Sequence, residues 1–118
     1  MTMLTIYGLK NCSTCKKLLS WLDDQAVGYE FIDYRAQPIA SEHLVAWAQV
    51  LGGWHKLVNR ASTTWRNLDD RQKQPNADSE WLALIADYPA LVRRPVIVKA
   101  DGRVMVGFKE AAVREFLA

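Results

Sequence analysis

An α/β fold is predicted by three features of the sequence. A run with strand periodicity, residues 3–7, leads through a short loop to Cys12 and Cys15, and a run with helical periodicity follows at once. A second strand-like segment comes within about thirty residues, which makes a βαβ unit with parallel strands. The chain closes with two short runs of branched residues about an Asp-Gly turn and one last amphipathic stretch.

The elements follow in order. In the first run Leu4 and Ile6 face one way and Met3, Thr5 and Tyr7 the other. Gly8 to Asn11 is a loop, and Asn11 or Ser13 offers a polar side chain to cap the next helix. Cys15, Leu18, Leu19, Leu22 and Ala26 recur on one helical face, with Gly28 as the expected stop. Residues 29–34 are aromatic and branched and read as the second strand. From about 40 to 90 the pattern is helical. Pro38 and Ser41 open a helix with Leu44, Val45, Ala48 and Leu51 on one side, and Gly52-Gly53 stop it. Residues 54–58 and Thr63-Thr64-Trp65 read as short helical pieces, and the polar residues 69–78, with Pro75, as loop. Ser79 is expected to cap a helix carrying Trp81, Leu82, Leu84 and Ile85, which ends before Pro89. Four of the five tryptophans lie in this stretch, where core packing accounts for them. Residues 96–98 and 103–106 form a hairpin about Asp101-Gly102, and residues 109–117 a closing helix with Val113, Phe116 and Leu117 inward. The order β-α-β, helices, β-β-α is a thioredoxin-like plan: a mixed sheet with a helical insertion at about 40–90, in a single domain over residues 1–118.

Composition narrows the function. The chain has 118 residues, 50% of them hydrophobic and 24% charged, enough for one core. A net charge of +2 is too small to argue for direct nucleic-acid binding. The first apolar run is about five residues, against about 7–15 in a secretory leader, and nothing approaches the roughly 18 apolar residues of a membrane span. The expected location is the cytoplasm, where thiols are kept reduced and two cysteines are reactive rather than a structural staple.

Cys12 and Cys15 hold the chemistry. The thiolate is the nucleophile, and a free cysteine titrates near about 8.5. At the start of a helix Cys12 meets unpaired N–H groups and the positive end of the dipole, with Lys10, Lys16 and Lys17 nearby, and all of these lower its pKa. Cys15 falls one turn on, on the apolar face, where it is expected to be more buried and less ionised. Cys12 then attacks and Cys15 resolves the mixed disulfide. Residues three apart on a helix lie about 5 Å apart, within the range a disulfide accepts. A zinc site would need two more ligands, and His43 and His55 have no ligand spacing. A purely structural role as a small buried hydrophobe suits Cys15 better than Cys12, and a Cys-His protease arrangement has no local support.

Arg60, Arg93 and Arg94 are the next candidates. Arg93-Arg94-Pro95 precedes the third strand, at a loop that faces the reactive cysteine in this plan. A cis Arg94–Pro95 bond is expected, with the Arg94 guanidinium near Cys12 to stabilise the thiolate and bind an oxyanion or carboxylate. Arg93 reads as a solvated surface charge, as do Arg66 and Arg103. For Arg60 physics alone weighs surface and function equally.

These residues carry a resemblance. Thr5-Ile6-Tyr7 ahead of Asn11-Cys12, Val58-Asn59-Arg60, residues 63–68, Tyr88-Pro89 and residues 91–98 together resemble the arsenate reductase (ArsC)/Spx/YffB family over nearly the whole chain. Val106-Gly107-Phe108 is similar to the YffB and Spx branches. The resemblance implies the thioredoxin-like fold, a reactive Cys12, and basic roles for Arg60 and Arg94. Asn11, Arg60, Arg94 and Pro95 are the expected substrate-binding set, with Cys12, Cys15, Arg94 and Arg60 catalytic and no metal. Arsenate reductases use a third arginine where this chain has Gly107, with Lys109 only nearby, and commonly a histidine where it has Gly8. The YffB-like branch, which looks like a glutathione-dependent thiol reductase, is favoured by Thr63-Thr64-Trp65-Arg66 but often keeps only the first cysteine. Spx-like regulators have Cys-x-x-Cys as a redox switch and bind RNA polymerase α. Gly52 falls where Spx has a glycine important for that contact, though Gly52-Gly53 reads equally well as a helix stop.

The expectation is therefore a cytoplasmic thiol-dependent reductase with glutathione as co-substrate and no bound cofactor. The alternatives are a Spx-like transcriptional regulator and an arsenate reductase. Glutathione or another small anionic thiol, glutaredoxin or thioredoxin, or RNA polymerase α are the partners to expect, with the chain itself a monomer.

Overall fold

The computed structural model describes residues 4–118, and the reading of Met3 as part of the first strand lies outside them. The chain divides into two compact units, one made of the chain up to Gln37 together with Arg94–Ala118, the other of Pro38–Arg93.

The first unit holds the sheet. Strands β1 (Leu4–Gly8), β2 (Tyr29–Asp33), β3 (Val96–Val98) and β4 (Val104–Val106) stand in the order β2-β1-β3-β4. β1 and β2 are parallel, as a βαβ crossover requires, and the other two pairings are antiparallel. Helix α1 (Ser13–Asp24) makes the crossover, and a second helix, Glu110–Leu117, closes the unit. This is a thioredoxin-like α/β fold. Leu4 and Ile6 of β1, Leu18 and Leu22 of α1, Ile97 of β3 and Val113 of the closing helix form the buried core. They are the residues whose strand and helix spacing marks them as inward-facing. Trp21 donates to Glu110 at 2.8 Å and stacks under Arg114, whose guanidinium pairs with Glu110 at 2.9 Å, so α1 and the closing helix are also tied at the surface.

The second unit is helical: α2 (Ser41–Leu51), α3 (Trp54–Leu57), α4 (Thr63–Arg66), α5 (Asp78–Asp87) and a 3-10 turn, Pro89–Leu91. The closing helix of the first unit is thus α6. Gly52, at φ +101°, ends α2 as its sequence implies. Trp47 is buried with Leu44 and Ala48 on α2, whereas Val45 and Leu51 are only half-buried. Trp81 lies between Trp54 and Trp65, near-parallel to both, with ring centroids 6.0 and 6.1 Å away. Such offset stacking uses the quadrupoles of the rings as well as their area.

Two helix ends differ from expectation. Ser79 does not cap α5, which begins at Asp78 and is preceded by Ala77. The Glu80 carboxylate reaches back to the Ala77 N–H at 3.3 Å, and Asp78 and Glu80 complement the dipole of the first turn. Helix α1 ends at Asp24, well before Gly28. Ala26, expected on its apolar face, is exposed and sits beyond the end at φ +57°. Ala26 N–H donates to Asp23 C=O at 3.1 Å and Val27 N–H to Leu22 C=O at 3.0 Å, the paired bonds of a Schellman ending, and Val27 packs with Leu22 against the core. The cap forms because of that apolar contact, on a residue that carries a Cβ. Replacing Ala26 by glycine is therefore expected to stabilise the fold by about 1 kcal/mol, read as a rise of a few degrees in Tm. An unchanged or lowered Tm would count against the strained cap.

Candidate active site

The site begins with the sheet register. Gly8 of β1 pairs with Asp33 of β2, so the two strands end side by side and their following loops run together. Three contacts lock those loops: Tyr34 N–H to Gly8 C=O at 3.1 Å, Lys10 N–H to one Asp33 carboxylate oxygen at 3.0 Å, and Arg35 N–H to the other at 2.9 Å. Cys12 N–H closes a turn onto Leu9 C=O at 3.2 Å, and Cys12 C=O accepts the first helical bond, from Lys16 at 3.0 Å. Cys12 itself is therefore the N-cap of α1, at φ −88° and ψ 121°. Neither Asn11 nor Ser13 caps it.

The Cys12 side chain makes no capping hydrogen bond, so the open N–H groups of the first turn act on the sulfur through their electrostatic field. Burial alone would raise the Cys12 pKa. Against it act the Cys15 N–H, the Cys15 thiol, the Thr14 N–H and the Arg94 guanidinium, whose positive ends favour the charged sulfur, and the pKa comes out below the ordinary thiol range. Cys15 is the opposite case. It is 1% exposed, and burial pushes its thiol up to about 11 despite a hydrogen bond from the Leu9 N–H, with the neighbouring Cys12 thiolate adding to the rise. Both cysteines are free thiols.

Arg94 reaches this sulfur from the loop ahead of β3, where the Arg94–Pro95 bond is cis. Its second partner is the Tyr34 hydroxyl, buried at 2% exposure. Burial raises the Tyr34 pKa although Arg94 works to lower it, so the phenol stays neutral and accepts from the guanidinium. Pro95 is buried, and its carbonyl accepts the Gly107 N–H at 2.8 Å. Gly107 sits at φ +82° and has no side chain to offer an oxyanion. Lys10, Asn11, Cys12, Asp33, Arg35 and Arg94 line a cleft of about 300 Å³. Of these, Asp33 and Arg35 escaped the sequence reading, as did Tyr34 behind them. The signal that points to them is the βαβ unit itself, which brings the end of β2 beside the loop before Cys12.

Gly8 explains how Cys15 fits. A Cβ at residue 8 would lie 2.6 Å from the Cys15 sulfur and 3.2 Å from the Phe31 ring.

Arg60 belongs to the helical unit. It is exposed on a turn in which Asn59 accepts the Ala61 N–H at 3.0 Å and the Ser62 hydroxyl at 2.7 Å. Arg93 is not the solvated charge expected of it: it is half-buried, its N–H donates to Leu57 C=O at 2.8 Å, and its Nε is buried without a hydrogen-bond partner among the described residues. Among the described residues no three His, Cys, Asp or Glu side chains gather as a metal site, and no helix is long and apolar enough to cross a membrane.

Comparison with known proteins follows the same lines. The model of the ArsC family matches residues 7–116. An uncharacterized protein of Haemophilus influenzae is 42% identical over 108 residues, covering 92% of this chain and 93% of its own. The global transcriptional regulator Spx of Staphylococcus epidermidis is 32% identical over 122 residues, covering 98% and 87%. A solved structure described as a YffB protein superposes with a TM-score of 0.87 at 41% identity, covering 98% of this chain and 99% of its own.

Two outcomes are expected of this geometry. Alkylation of Cys12 against pH gives a midpoint below that of a free thiol, while Cys15 stays unmodified until the solution approaches about pH 11; equal reactivity of the two would contradict it. Gly8→Ala costs about 1–3 kcal/mol through overpacking, measured by urea unfolding, and much of that loss disappears when Cys15→Ala removes the sulfur in the same chain.

Proposed function

The chain belongs to the ArsC family, and on that premise we propose that it is a thiol-dependent reductase with Cys12 as nucleophile and glutathione as reducing co-substrate. The observation that carries this reading is the placement of Cys12 at the N-terminus of α1, where the Cys15 and Thr14 N–H groups, the Cys15 thiol and Arg94 favour its thiolate. A low-pKa thiolate at an open cleft is the requirement for thiol–disulfide exchange. The reaction is proposed to take place in the cytoplasm.

The electron count is simple for a mixed disulfide of glutathione. The Cys12 thiolate attacks the glutathione sulfur, the substrate S–S bond breaks, and the substrate thiolate leaves and takes a proton from water. Cys12 now carries glutathione in disulfide linkage. A second glutathione, as thiolate, attacks that glutathione's sulfur, releasing glutathione disulfide and restoring the Cys12 thiolate. The substrate sulfur is reduced to the thiol and the second glutathione's sulfur is oxidised in its place, while the first glutathione enters and leaves as one half of a disulfide. Cys15 offers another exit by attacking Cys12 and forming an internal disulfide. It is held protonated in part by the Cys12 charge, which vanishes once Cys12 is in disulfide linkage. Arg60 keeps the basic role that the family resemblance implies, toward an anionic group of the substrate.

The second reading is a redox-sensitive regulator of the Spx kind, which binds RNA polymerase α and switches through a Cys12–Cys15 disulfide. The 32% identity to a protein named as that regulator and the contact between the two thiols favour it. Arsenate reduction is the third, and the bare Gly107 speaks against it.

Turnover of a glutathione mixed disulfide is expected to vanish in Cys12→Ser. In Arg94→Ala the Cys12 pKa rises and kcat/KM falls by about ten- to a hundredfold, the range for one lost charge-assisted hydrogen bond. Full turnover in Cys12→Ser would end the reductase reading. Absence of turnover, together with capture of the polymerase α C-terminal domain, would favour the regulator.

A further inference from the structure

The cleft beside Cys12 holds more positive charge than one thiolate engages. Lys10, Arg35 and Arg94 line it against a single acid, Asp33. That carboxylate is already occupied: it accepts from Lys10 N–H at 3.0 Å, Arg35 N–H at 2.9 Å and Ala36 N–H at 3.3 Å. Arg94 is turned to Cys12 and Tyr34. The side chains of Lys10 and Arg35 are exposed, and neither forms an ion pair among the described residues. Their backbones, however, are pinned to the same carboxylate, one from the loop after β1 and one from the loop after β2. Two cations are thus anchored at the mouth of a cleft of about 300 Å³, more room than one tetrahedral oxyanion fills.

We propose that Lys10 and Arg35 form a carboxylate-binding subsite, which selects thiols and disulfides that bear a free carboxylate. The proposal deepens the reductase reading and rests on it for the identity of the reacting group. The guanidinium suits a two-point grip on a carboxylate, and the ammonium adds a compact charge without fixed direction. Asp33 is a positioning residue here: it supplies no contact to the ligand and holds the two loops in register.

The test uses S-methylglutathione, which keeps both carboxylates and has no reacting thiol, and its dimethyl ester, which has neither. Each is titrated into the reduced protein while the backbone amide signals of Lys10, Cys12 and Arg35 are followed. The acid is expected to give saturable shifts at these three residues. The ester should bind about five- to tenfold more weakly, the size expected of two exposed ion pairs. In the Lys10→Gln/Arg35→Gln double variant, whose unchanged amide spectrum elsewhere reports folding, acid and ester should bind alike. No saturable shift with the acid, equal binding of acid and ester to the native protein, or displacement of the acid by equimolar inorganic phosphate would each overturn the subsite. Failure of the two proposals is distinguishable. Binding of the acid without Cys12-dependent turnover removes the reductase and leaves the subsite. Turnover with indifferent binding of acid and ester does the reverse.

Discussion

Cys12 stands at the N-cap position of helix α1, and the candidate site is arranged about that placement. Backbone N–H groups at a helix start have no partner within the helix and need an acceptor. Serine or asparagine serves in most chains, and both flank this position, as Ser13 and Asn11. Cys12 takes the position instead without a capping side-chain hydrogen bond, and the N–H groups of Cys15 and Thr14 favour its thiolate. The N–H groups left open at the start of the helix are thus the ones that favour charge on the nucleophile. The pairing of Gly8 with Asp33, the turn from Leu9 to Cys12 and the guanidinium of Arg94 all act to hold that sulfur where the donors converge.

The second cysteine follows from the same geometry. One helical turn on, Cys15 points into the protein, and its sulfur occupies the space in which a Cβ at residue 8 would stand. A side chain at residue 8 and a sulfur at residue 15 compete for one volume. The glycine ahead of the loop, a departure from the arsenate reductase pattern, and the second cysteine, a departure from the YffB-like one, are one packing solution. The thiol that results is too buried to ionise readily, yet close enough to donate to Cys12.

Much of this was legible in the residues. Strand alternation at Leu4 and Ile6, the helical spacing of Cys15, Leu18 and Leu22, and the turn at Asp101-Gly102 each reflect a local rule that the tertiary structure leaves in force. The failures are where tertiary contacts override a local preference. Gly28 was the expected helix stop, but the contact of Val27 with Leu22 ends α1 earlier and forces the left-handed conformation on Ala26. Arg93 looked like a surface charge because it alternates with Arg94 along a strand edge, and only the strand bridge between Val58 and Val92 shows why its backbone is drawn inward. Asp33, Tyr34 and Arg35 carry no motif. They reach the site because two parallel strands end together, a fact about register that no single segment of sequence displays.

The stacked indoles Trp54, Trp81 and Trp65 give the helical unit an optical identity. Near-parallel indoles about 6 Å apart couple their transition dipoles, so this unit contributes an exciton signature to circular dichroism as well as ordinary fluorescence. The sheet-bearing unit has a single indole, Trp21, lodged between α1 and α6 beside Phe108 and Arg114. The helical unit thus has an optical channel, exciton coupling, that the single indole of the other unit cannot supply. Events in the helical unit can be followed through that coupling in the native protein, without attached dyes.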